Sequence, residues 1–272
     1  MKRFRTFILL FFWAFVSMGQ SISYKQVNNL SYYADTTELT AYQKQRCVLD
    51  VYYPQRKKAV PVIIWFHGGG LRQGEKEIPD ALKEQGYCIV GVNYRLSPKV
   101  SAKKSVSDAV ASIAWVMKNI EIYNGDPDKI FVSGHSAGGY LALMGVLEKR
   151  SLAAYGLDAD AIAGIVPFSG HTITHFTIRE EQKIPGEKPR IDEWAPLYHV
   201  RGNAPPILLI TGDRERELLG RYEENAYFYR MMKENGQKDI DLYEMDGYGH
   251  QMTVPAFPLL LKFVEKYAML AE

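Results

Sequence analysis

The run IFVSGHSAGGYLAL, Ile130 to Leu143, joins a strand-forming segment to a helix-forming one through a serine set between Gly134 and Gly138. A strand and a helix that meet in so few residues force a sharp turn. Glycine two places before and after Ser136 removes the side chains that would collide there. Such a turn pushes the serine hydroxyl outward at the end of the strand. The helix that starts beside it aims unpaired N–H groups and the positive end of its dipole at the same spot. The pattern asks for an α/β chain whose sheet presents Ser136 at the carboxyl end of a strand.

The rest of the chain supplies the other strands. RCVLDVYYP, VPVIIWFHG, YCIVGVNY, KIFVSG, IAGIVPFSG, PPILLITG and DIDLYEM read as strands. Several are apolar throughout, as strands covered on both faces are. Glu75–Gly86 reads as a short helix ended by its glycine. From Ser105 to Tyr123 the residues Val106, Val110, Ile113 and Met117 recur at helical spacing, and Ser105 with Asp108 suggests a capping box. Further helices are expected from about Leu218 to Asn235, closed by Gly236, and from about Pro255 to Ala271. Strands separated by such helices pair in parallel, with helices on both faces. The Pro-containing polar stretch from His171 to His199 breaks the rhythm and is expected to be a cap segment.

At 272 residues the chain has the length of one α/β domain. Acids and bases nearly balance at net +2, without a Lys/Arg stripe, so no nucleic-acid partner is expected. Lys2, Arg3 and Arg5 precede the apolar FILLFFWAFV and a small, polar stretch from Ser17 to Ser23. That is the layout of a secretory signal peptide over residues 1–21, leaving a single domain over 22–272 that works outside the cytoplasm, secreted or periplasmic. No stable membrane anchor is expected. Export permits a disulfide, but Cys47 and Cys88 each open an apolar strand-like run and read as buried core thiols.

Ser136 is a poor nucleophile until a base takes its proton. HGGG, His67 to Gly70, directly follows the strand VIIWF; three glycines let backbone N–H groups approach a substrate carbonyl, and with the N–H of Ala137 they would form an oxyanion hole. Of six histidines, His67 and His135 belong to these motifs and His199 follows APLY at a loop edge. His171 and His175 stand four apart, without a third ligand at metal-binding spacing. His250, in DGYGHQM after the last strand, is the expected base, in the chain order serine, acid, histidine. The acid belongs in the loop after PPILLITG, where Asp213, Glu215 and Glu217 all qualify.

Together LDVYYP, HGGG, VNYRLSP, GDPDKIFVSGHSAGGYLAL, PPILLITGD and GYGH, spread over Arg46 to Tyr267, resemble the α/β-hydrolase superfamily. Within it the chain is similar to hormone-sensitive-lipase-like carboxylesterases and to the bifunctional feruloyl and acetyl xylan esterase-like group. The resemblance implies an α/β-hydrolase fold: a mostly parallel eight-stranded sheet with helices on both faces and a small cap segment over about 171–199. It implies Ser136 as nucleophile, His250 as base and an oxyanion hole from Gly69, Gly70 and Ala137. Relatives place the acid three residues after the glycine that ends its strand, which selects Glu215 here, with Asp213 as alternative. Leu71 stands where many relatives carry an aromatic residue beside the acyl pocket. The fold also sets the second strand antiparallel beside the fourth, which separates Cys47 from Cys88.

The activity expected is that of a secreted serine carboxylesterase on short-chain or aromatic esters, acetyl or feruloyl, carried by a small molecule or a carbohydrate such as a plant polysaccharide. It would need neither metal nor organic cofactor. An amidase or peptidase on the same fold is the first rival, and a hydrolase-fold binding protein without turnover the second.

Overall fold

The computed structural model describes residues 22–34, 38–55 and 57–270, so the expected signal peptide lies outside the described residues. Eight strands form one sheet: β1 (Tyr24–Ser31), β2 (Val48–Pro54), β3 (Val60–Phe66), β4 (Cys88–Val92), β5 (Gly125–His135), β6 (Gly164–Phe168), β7 (Ile207–Gly212) and β8 (Ile240–Met245). Their order across the sheet is β1-β2-β4-β3-β5-β6-β7-β8. β2 runs antiparallel to β1 and β4, and the pairs from β4 through β3 to β8 are parallel. This is the α/β-hydrolase fold.

Strand periodicity distributes the core. Along β3, Val62, Ile64 and Phe66 face one apolar layer, and Ile63 and Trp65 face the other. β7 does the same with Ile207 and Leu209 against Leu208 and Ile210. The first layer receives α2 (Ala102–Asn119), α3 (Ala137–Leu147) and α6 (Arg221–Glu234), and the second receives Phe257, Leu260 and Val264 of α7 (Thr253–Leu270). Every residue of α3 is buried, which is why GGYLALMGVL carries no charge.

Three local expectations change. Glu75–Gly86 is not a helix but an irregular run with one 3-10 turn, Asp80–Leu82. Its polar groups bond to buried residues of the main body: the Lys76 amide donates to Asn93, the Lys76 ammonium pairs with Asp50, and Glu75 takes Asn93 and Arg46. Helix α2 starts at Ala102 with Ser101 as its cap, so Ser105 and Asp108 lie inside it. Both are buried there because Ser105 donates to the Arg95 carbonyl and Asp108 takes the Arg95 guanidinium through two nitrogens. The eighth strand is β1, YKQVNNLS, an edge strand with largely exposed, polar residues that carries little apolar signal.

Cys47 and Cys88 are free and buried. The register pairs Leu49 with Val92 and Tyr52 with Ile89, so the two thiols sit toward opposite ends of the β2–β4 pair.

Candidate active site

Ser136 follows β5, the middle of the parallel array, and carries φ 56° and ψ −114°, a conformation that a side chain rarely adopts. Neighbouring backbone holds it there. A Cβ on Gly134 would lie 2.6 Å from both the Phe66 oxygen and the Gly138 carbonyl carbon, and one on Gly138 would overlap the Phe66 carbonyl outright. The two glycines permit strand β3, the turn and helix α3 to touch, and the Ser136 amide donates to the Phe168 carbonyl (2.8 Å).

His250 comes from the loop after β8. Its Nε2 lies 2.9 Å from Ser136 Oγ, and its Nδ1 lies 2.6 Å from Glu217 Oε1. The acid on the histidine is therefore Glu217, and neither Glu215 nor Asp213 reaches it. The loop's own hydrogen bonds explain why. The amides of Arg216 and Glu217 both donate to the Asp213 carbonyl (2.9 and 2.8 Å), closing one turn that brings Glu217 back under His250. The Asp213 carboxylate is used by the backbone, accepting from the amides of Glu215 and Gly247 (2.9 Å each), and Glu215 is exposed. The Glu217 carboxylate is wholly buried and also accepts from the amides of Leu218 (2.7 Å) and Gly212 (3.1 Å) and the hydroxyl of Ser169 (2.6 Å). Burial alone would raise its pKa; the hydrogen bonds from His250, Ser169 and Leu218 outweigh it and hold the group ionised, with a pKa near 2.

Gly69 (φ 109°) and Gly70 (φ 63°) face the same cleft as Ser136. Among the described residues neither amide donates to a protein acceptor, and the Ala137 amide is the first of α3, with no acceptor inside its own helix. None of these three amides donates to an acceptor among the described residues. The loop is fixed from below by His67, which stacks on Tyr94 with ring centres 4.3 Å apart and whose carbonyl accepts from the Tyr94 hydroxyl (2.7 Å). Burial lowers the His67 pKa to about 4. His135 is likewise pushed down to about 4, by burial and then by the neighbouring His250 imidazole, whose backbone carbonyl lies 2.8 Å from His135 Nε2. Both are neutral supports.

The cleft has a volume of about 880 Å³, lies open to solvent, and carries Arg72, Gln73, Glu75, Glu77 and Gln251 on its walls, with Phe176 and Leu218 as apolar patches. Leu71 is fully buried behind it. Of the stretch from His171 to His199 only Phe176 lines the cleft; it opens α5 (Phe176–Glu181). His171 bonds Glu224 and Arg221, His175 accepts from the Thr177 amide, and His199 contacts the Glu193 carbonyl. Among the described residues no cluster of three metal-binding side chains occurs.

The BD-FAE family profile matches residues 49–219, well over half the chain. The chain belongs to the BD-FAE family. Esterase LipC of Mycobacterium tuberculosis is 25% identical to this BD-FAE member over 222 residues, covering 71% of this chain and 53% of that protein. The chain spans about half the length of the curated relatives it matches first. A truncated carbohydrate esterase from gut microbiota superposes with a TM-score of 0.75 at 18% identity, covering 92% of this chain and 98% of the other. Esterase B from Lactobacillus rhamnosus superposes at 0.71 and 19% identity, covering 91% and 86%. At such identity these likenesses carry the fold.

Proposed function

We propose that this BD-FAE member is a serine carboxylesterase. The observation that carries the reading is the hydrogen-bonded line from Ser136 through His250 to Glu217. The Ser136 oxygen attacks the ester carbonyl carbon while its proton passes to His250 Nε2. The carbonyl oxygen becomes an oxyanion facing the amides of Gly69, Gly70 and Ala137, each donor worth roughly a hundredfold in rate. The bond to the alcohol then breaks, and His250 returns the proton to the departing oxygen. Water attacks the acyl carbon, gives its proton to His250, and releases the acid as Ser136 recovers the hydrogen. Side chains and water balance every proton.

The finer reading is an acetyl or feruloyl ester on a carbohydrate, with the enzyme acting outside the cytoplasm. It is supported by an open cleft that carries the polar side chains of Arg72, Gln73, Glu75, Glu77 and Gln251, by likeness in fold to a carbohydrate esterase, and by the basic-then-apolar start of the chain. Hydrolysis of p-nitrophenyl acetate, an acetylated xylo-oligosaccharide and methyl ferulate by the wild type and by Ser136→Ala tests it. Activity on the ester substrates that is lost in Ser136→Ala is the expected result. A wild type inactive on all three would bring the amidase or the binding-protein reading forward.

A further inference from the structure

The residue after β6 is Ser169, fully buried and held at φ 49°, in the left-handed region. Its amide donates to the Ile210 carbonyl (2.7 Å), so the strained position is tied into the sheet. Its hydroxyl stands 2.6 Å from Glu217 Oε2 and 3.0 Å from His250 Nδ1. Proton accounting fixes its direction. If Ser136 donates to Nε2, His250 carries its hydrogen on Nδ1, which Glu217 Oε1 accepts; the Ser169 hydrogen is then free for Glu217 Oε2, and its lone pair faces the Nδ1 hydrogen. Behind it lies a cation with no part in the triad. Arg221, 2% exposed, donates from Nη1 to the Ser169 carbonyl and reaches the Ser169 hydroxyl at 3.5 Å. The same guanidinium is anchored by Glu224 (Nε, 2.8 Å) and by His171 Nε2 (2.7 Å), and Glu224 accepts from the amides of Thr172 and Ile173.

Resting on the triad reading above, we propose that Ser169 is a positioning residue of the reaction. It locks the Glu217 carboxylate in the plane that His250 needs, and Arg221, seated on Glu224 and His171, holds Ser169 in place. The hydroxyl touches both members of the acid–base pair, so it acts on the transition state, where the imidazole becomes charged, more than on substrate binding.

The test compares Ser169→Ala and Ser169→Gly with wild type in kcat, KM, melting temperature and the far-downfield proton NMR signal of His250 Nδ1–H. Glycine suits φ 49°, so Ser169→Gly separates the lost hydroxyl from backbone strain. The expected result is a kcat about ten- to a hundredfold lower in both variants. KM should stay within about twofold, the Nδ1 proton signal should shift, and the melting temperature of Ser169→Gly should hold. A kcat within about twofold of wild type in both variants overturns the proposal, as does a loss of kcat matched by a fallen melting temperature with an unmoved Nδ1 signal. Failure of the triad reading is separate: there Ser136→Ala would itself stay active.

Discussion

A buried glutamate that accepts four hydrogen bonds, among them one from His250, is the residue on which the proposed chemistry depends most after Ser136 and His250. Glu217→Ala removes the partner that fixes the imidazole tautomer, and kcat for an ester substrate should fall roughly a hundredfold to ten-thousandfold. Glu215→Ala removes an exposed side chain and should leave kcat within about twofold. If Glu215→Ala were the crippled variant, the loop would bind His250 by a different carboxylate in solution. This contrast also shows what a sequence conveys at the scale of one residue. Ser136 and His250 stand at places that the strand ends define, so counting from motifs finds them. The acid is set by a turn closed on the Asp213 carbonyl, and the spacing of three acids along GDRERE does not reveal which of them that turn directs inward.

Among the elements, α5 does more than its six residues suggest. Near its start the Thr177 hydroxyl donates to the Gly70 carbonyl (2.6 Å), and the Phe176 ring lies 3.0 Å from where a Gly70 Cβ would stand. At its end Glu181 accepts from the hydroxyls of Ser97 and Ser101 and from the amide of Ala102, closing the N-terminus of α2. The helix therefore clamps the Gly69–Gly70 loop, the proposed oxyanion hole, to the main body. Thr177→Val keeps the shape and removes the donor; a drop in kcat of about tenfold with KM little changed is expected, and Thr177→Ser should restore most of it. Equal kcat in Thr177→Val and wild type would show that Gly70 needs no such tie. At the other end, Glu181→Ala should cost about 1 kcal/mol of stability, as other lost N-terminal caps do, read as a lower midpoint in urea. Sequence periodicity located the strands and long helices because burial imposes it. It missed what burial does not impose: the polar edge strand β1, the irregular Glu75–Gly86 run satisfied by Asn93 and Asp50, and a first turn of α2 capped from a segment some 80 residues away in sequence.

At the scale of the whole molecule, alternating strands and helices were enough to predict a two-layered parallel core, because a strand buried on both faces is apolar at every position. The site that this core carries has a common response to acid. His67 and His135 are held by burial at pKa values near 4, below the value of about 6.5 that an unfolded chain shows. Glu217 is held near 2, below an unfolded value of about 4.3. In each case the unfolded state takes up its proton first as pH falls, so each group favours unfolding on acidification. The histidine contributions are complete above about pH 6.5 and are lost down to about 4, whereas that of Glu217 is complete above about 4.5 and is lost down to about 2. The melting temperature should therefore be flat between about pH 7 and 8, decline below about 6.5, and fall again below about 4.5. Differential scanning calorimetry across that range reads the curve, and His67→Gln, which removes one of the four buried imidazoles held below their free value (His67, His135, His171 and His175), should show a shallower slope between about pH 6.5 and 4. An unchanged slope in that variant would mean that His67 takes up its proton in the folded state as readily as in the unfolded one. The stacked His67–Tyr94 pair would then not be the closed, dry support on which the proposed oxyanion loop rests.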